Sequence, residues 1–211
     1  MKLSAFAKIA KKTHTIIVLT MIDKLPTEEM ILSNGIAMYR CGAIPTVSGH
    51  SQICALLDIT QKQREKIIIK EELYDNLSSV TAGFDLSDGV VAGEEDTQEV
   101  KIGITYKGKQ LTALKCGDGE MIFFNNELLM PLKEEIGSPY FQIRSRVADK
   151  EGKRFRYLIA KDGFKTLAAF LPVIALTDEF MEDLKNFADD CEMQKGIEEN
   201  RIATCREAKS K

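Results

Sequence analysis

The sequence predicts an α+β fold of two related halves, antiparallel β-meanders with amphipathic helices. Three observations carry this: short β-branched runs bounded by Gly- or Asn-containing turns, amphipathic stretches near both ends, and an order of elements that recurs. The chain has 211 residues, 44% hydrophobic and 29% charged, enough core material for one fairly large domain or two small ones. Its net charge of −3 and pI near 5.6 exclude a generally basic coat and confine any anion site to a local patch.

Leu3, Phe6, Ala7 and Ala10 recur at helical spacing, with Lys8, Lys11 and Lys12 on the remaining surface, so residues 3–12 read as a short amphipathic helix. "HTIIVLTMI" is β-branched, "DKLPTEE" breaks it, and "MILSNGIAMYRC" sets Asn-Gly between two apolar runs, a strong hairpin signal. Together they predict a three-stranded meander. "SGHSQICALLDITQKQREK" reads as helix in one or two pieces and "KIIIKEE" as a strand; residues 77–97 read as irregular strands or a connecting segment.

The second half repeats the pattern. "EVKIGITYKGKQLTALKCGDGEMIFF" predicts strand, turn, strand, turn, strand, and "NNELLMPLKEEI" a helix that Pro131 kinks or restarts. Residues 141–171 predict a second meander. "TDEFMEDLKNFADD" predicts a helix with Thr177 as N-cap and a stripe of Phe180, Met181, Leu184, Phe187 and Ala188. The divisions expected are 1–97, 98–192 and a polar, flexible tail over 193–211.

The last meander concentrates Arg144, Arg146, Arg154 and Arg156. Three-residue loops ending in Gly152 and Gly163 would set Val147 opposite Phe155, Arg146 opposite Arg156 and Tyr157 opposite Leu167. Odd residues then share the core face. The even face mixes the four arginines with Leu158, Ala160, Phe164, Ala168 and Phe170. Facing arginines disfavour the sheet by roughly 0.2–1 kcal/mol, so an anionic partner or neighbouring carboxylates are expected beside them. A solvated face neutralised by the chain's own acids is the more ordinary arrangement.

Thr13, His14 and Thr15 interrupt the apolar stretch after the basic start, and no run approaches the roughly 18 apolar residues of a membrane helix. The expectation is a soluble, cytoplasmic protein without a signal peptide or membrane partner. Five widely spaced cysteines without Cys-x-x-Cys fit reduced thiols. Cys41, His50 and Asp58 form the one set resembling a thiol nucleophile, base and orienting acid, though Cys41 and Cys54 sit among apolar residues and read better as buried hydrophobes. Asp85, Asp88, Glu94, Glu95 and Asp96 could offer oxygen ligands but depart from the EF-hand pattern, and "KCGDGE" lacks a phosphate-loop ending. No metal, cofactor or catalytic residue is assigned.

The order of elements resembles the repeated domains of DNA sliding clamps. The stretches carrying it are "HTIIVLTMI…EEMILSNGIAMYRC…QICALLDI…EKIIIKEE" and "RFRYLIAKDGFKTLAAFLPV…TDEFMEDLKNF". The resemblance implies a non-enzymatic processivity factor of DNA replication, a homo-oligomer closing around duplex, with Lys2, Lys8, Lys11 and Lys12 as phosphate contacts. Against it, "TDEFMEDLKNFADD" has six acidic residues and Lys185 alone. Arg144, Arg146, Arg154 and Arg156 would then turn away from DNA toward an acidic partner. The alternatives are a small hydrolase or transferase using Cys41 or Cys54, and a protein-binding module using the mixed face around Phe164 and Phe170.

Overall fold

The computed structural model describes residues 1–22, 28–42, 44–74, 84–132, 140–147, 154–173 and 178–209. It is an α+β fold. Helix α1 (Leu3–Thr13) leads into strands β1 (Thr15–Ile22), β2 (Glu28–Ser33) and β3 (Ala37–Arg40), followed by helices α2 (His50–Leu56) and α3 (Gln61–Arg64) and strand β4 (Ile68–Leu73). Strands β5 (Glu95–Asp96), β6 (Gln98–Tyr106), β7 (Lys109–Lys115) and β8 (Met121–Asn125) come next, then β9 (Tyr140–Val147), β10 (Arg154–Asp162), β11 (Lys165–Phe170) and helix α4 (Asp178–Lys209).

Both expected meanders form, and they share one eight-stranded sheet of order β4-β1-β2-β3-β11-β10-β9-β5. The joint is β3 with β11, antiparallel, Ala168 opposite Tyr39. β4 returns parallel to β1 and the other pairs are antiparallel. The Asn-Gly hairpin forms as the sequence suggests: Asn34 Oδ1 accepts from the Ile36 and Ala37 amides, and Gly35 takes the left-handed conformation at φ 84°. β6, β7 and β8 form a separate three-stranded sheet.

Alternation sorts side chains onto two buried faces. One face of the large sheet, with Ile16, Val18, Leu32, Tyr39, Leu158 and Phe170, packs against Phe6, Ile9 and Ala10 of α1, Ile53 and Cys54 of α2, and Leu114, Ile122 and Phe124 of the small sheet. Phe6 and Phe170 meet the Tyr39 ring edge-on at 5.7 and 5.8 Å. The opposite face, with Ile17, Leu19, Ile31, Met38, Tyr157, Ile159 and Ala169, is covered by Phe84 and Leu86. The far side of the small sheet receives Met181, Leu184 and Ala188 of α4.

Four expectations change. The arginine hairpin runs one residue out of the expected register: Arg156 lies opposite Ser145, Arg146 opposite Phe155 and Arg154 opposite Val147. No arginine faces another, which removes the like-charge penalty, and odd residues of β9 now share a face with even residues of β10. The four arginines therefore do not share a face. In the next hairpin Asp162 pairs Lys165 around Gly163 and Phe164, so the turn has two residues rather than three; Gly163 at φ 57° supplies the left-handed position.

The segment before Pro131 forms only a 3-10 turn, Asn126–Leu129. Asn125 caps it, accepting from the Glu127 amide, and the turn stops short of the proline, which has no donor for the next bond. Finally, helix runs on to Lys209 where a polar tail was expected, while the expected N-cap Thr177 lies outside the described residues.

Candidate functional site: an arginine hairpin beneath a crossing strap

Residues 84–94 cross one face of the large sheet as an irregular strap. A strap without regular structure carries amides and carbonyls that must find partners once covered. Sheet side chains supply them. Tyr74 donates its hydroxyl to the Phe84 carbonyl at 2.7 Å and accepts from the Leu86 amide at 2.9 Å, and the Asp85 amide donates to the Tyr157 hydroxyl at 3.0 Å. Gly89 bonds through its amide to the Phe164 carbonyl at 2.7 Å.

Arg144 is the centre of this arrangement. Its Nε donates to Glu94 Oε1 at 2.8 Å, its Nη1 to the Asp85 carbonyl at 2.7 Å and its Nη2 to the Ser87 carbonyl at 2.9 Å. Lys161 Nζ lies 2.6 Å from Glu94 and donates to the Gly89 carbonyl at 2.8 Å. The side chains of Arg144, Lys161 and Glu94 are 2%, 1% and 1% exposed. Burial alone would raise the Glu94 pKa, but the bonds from Lys161, Arg144 and the Val91 amide outweigh it and hold the carboxyl below its ordinary value.

A β-bulge gives this cluster a third sheet residue, Thr166. The β10–β11 register shifts between Ala160 and Lys161, leaving Leu167 without a partner opposite. Thr166 is thereby turned to the same face as Lys161, although Ala169, of opposite parity, also faces the strap. Thr166 donates its hydroxyl to the Ser87 carbonyl and its amide to Asp88 Oδ1, both at 2.8 Å. Arg40 completes the row, bonded to Asp88 and to Oε2 of Glu29; the Oε1 of Glu29 is buried and has no hydrogen-bond partner among the described residues. Burial lowers the Arg40 pKa, and Glu29 and Asp88 more than reverse it.

Arg156 belongs to the opposite face. It bonds Asp118 and Glu120, with Glu95 at 3.6 Å, and its side chain is 24% exposed. The bond from Arg156 holds the Asp118 carboxyl below its usual range. The side chains of Arg146 and Arg154 lie outside the described residues. Arg144 and Arg156, expected to meet an anionic partner together, are thus apart, each neutralised by the chain's own carboxylates.

The lysines at the start of the chain are the expected phosphate contacts. Lys2 and Lys8 are exposed, Lys11 donates to the Asp58 carbonyl at 3.0 Å, and Lys12 pairs with Glu127 at 2.6 Å. Cys41 is 3% exposed, its thiol donates to the Tyr39 carbonyl at 3.7 Å, and burial pushes its pKa up to about 12. Burial likewise raises Cys116 to about 11. His50 and Asp58 are exposed. Phe170 is fully buried, whereas Phe164 is 76% exposed.

The Glu94 role was readable only in part. Lys161 two and four residues after Ile159 and Tyr157 places a cation on an apolar face, a signal that an acid must come from elsewhere. Nothing in sequence says which of the five acids between 85 and 96 it is. Among the described residues, no three His, Cys, Asp or Glu side chains are grouped to hold a metal ion, and no helix is long and apolar enough to cross a membrane. No family model, curated protein or solved structure matches the chain.

Proposed function

We propose that the chain is a non-enzymatic binding or assembly protein of the sliding-clamp type, a cytoplasmic accessory of DNA replication that works as a homo-oligomer. The observation carrying this reading is the β3–β11 joint, through which two three-stranded meanders become one continuous sheet. α1 packs on one face of that sheet, with Lys2 and Lys8 exposed. Lys2, Lys8, Lys11 and Lys12 are the phosphate contacts of this reading. A buried thiol raised to about 12 weighs against the cysteine-dependent hydrolase or transferase using Cys41.

The test uses topology. On this reading the chain sediments as a closed oligomer and is retained on nicked circular DNA, and cutting the circle releases it. A monomer that shows no such retention overturns it. A second reading, a protein-binding module without a nucleic-acid role, is favoured by the exposed Phe164 and Val90, 76% and 83% accessible and held close by the Gly89–Phe164 bond.

A further inference from the structure

α4 has 32 residues, about 48 Å of helix, and its first half packs on the body. Met181, Leu184 and Ala188 pack on the small sheet, and Lys115 holds Asp189 at 2.6 Å. The face turned the other way reads Asp183, Phe187, Asp190, Gln194 and Ile197, a spacing of four, three, four and three residues. That spacing forms one seam along a helix. Phe187, Ile197 and the neighbouring Met193 are 59%, 63% and 65% exposed, and Asp183, Asp190 and Gln194 are exposed beside them.

From 178 to 197 the helix carries seven acidic residues against Lys185 and Lys195. That charge decides what can cover the seam. DNA and anionic lipid would bring phosphate against carboxylate, and a second α4 would set acid against acid. A helix with leucine-like residues at the same spacing and lysines or arginines along its flanks satisfies both the apolar and the charged requirement.

We propose that the outer seam of α4, centred on Phe187 and Ile197 and flanked by Asp183 and Asp190, docks a basic amphipathic helix of a partner protein. Exposed apolar side chains supply the contact area and the acids choose the partner.

The probe is a labelled helical peptide of roughly five turns made of leucine at three- and four-residue spacing and lysine elsewhere, titrated by fluorescence anisotropy against the full chain. Two controls are a peptide of identical composition with scattered leucines and a leucine–glutamate peptide of the same pattern. The expected result is binding of the first peptide at least about tenfold tighter than either control. Phe187→Ala with Ile197→Ala should weaken it about tenfold or more, and Asp183→Lys with Asp190→Lys should abolish it, with the melting temperature unchanged. No binding, equal binding of the scattered peptide, or unchanged affinity in both variants would overturn the proposal. So would a dimer of the free chain that Phe187→Ala dissolves, which would make a second copy the occupant.

Discussion

Arg144 and Glu94 meet at 2.8 Å with both side chains all but sealed from solvent, whereas Arg156, twelve residues along the same hairpin, meets its acids in the open. The two arginines should respond very differently to substitution. Glu94→Gln keeps the shape but takes the close carboxylate from buried Lys161 and leaves Arg144 only the Asp85 carboxylate at 3.9 Å, and should cost about 3–5 kcal/mol in urea unfolding. Arg156→Ala should cost under about 1 kcal/mol, since exposed pairs gain little. Equal losses in the two variants would mean that the strap is not held by its buried charges.

Acid sensitivity follows from the same carboxylate. Glu94 is depressed in the folded chain, so its contribution is complete above the unfolded value of about 4.3 and is lost as pH falls through the folded value. Stability of the wild-type chain should therefore drop steeply below about pH 4.3, and the Glu94→Gln curve should be flatter there. Asp118 is depressed too, but its exposed pair adds little to the slope.

The bulge at Leu167 can be tested through the residue it redirects. Thr166→Val retains shape and removes the hydroxyl that donates to the Ser87 carbonyl. Because Arg144 also donates to that carbonyl, the loss should stay near 1 kcal/mol, measured by urea unfolding. Deleting Leu167 would remove the bulge yet leave Thr166 opposite Lys161 in regular alternation, so the bonds to Ser87 and Asp88 should survive and the cost should be that of the lost Leu167 packing.

Thiol reactivity should follow burial. Cys191 is exposed while Cys41, Cys54 and Cys116 are buried, with Cys41 raised to about 12 and Cys116 to about 11. Iodoacetamide at neutral pH, followed by peptide mapping, should modify Cys191 well before these three in the folded chain. Rapid labelling of Cys41 would revive the thiol-enzyme alternative.

Much of the fold was legible because local signals and burial agree. The β-branched run at 15–22, the Asn-Gly turn and the apolar spacing of α1 all fell where expected. The hairpin register was not legible. Three-residue loops looked sufficient for Gly152 and Gly163, but both faces of β10 are core, with Leu158 and Ile159 fully buried, so alternation gave no preference for either register. Arg144 was singled out for its charge, yet its partner lies 50 residues away in sequence, on a strap with no periodic pattern. Phe180 and Phe187 of the expected stripe remain substantially exposed because they lie on the flank of the face that Met181, Leu184 and Ala188 turn to the small sheet.

The β3–β11 joint also orders events during synthesis. Tyr39 must wait for Ala168, roughly 130 residues later, which at about 5–20 residues per second is on the order of ten seconds of translation. Throughout that interval the first meander stands on the ribosome with the Ala37–Tyr39 edge of its sheet bare, open to pairing with any nascent neighbour. Polysomes crowded with this chain are where it is most exposed to mispairing, and slower elongation would lengthen the risk.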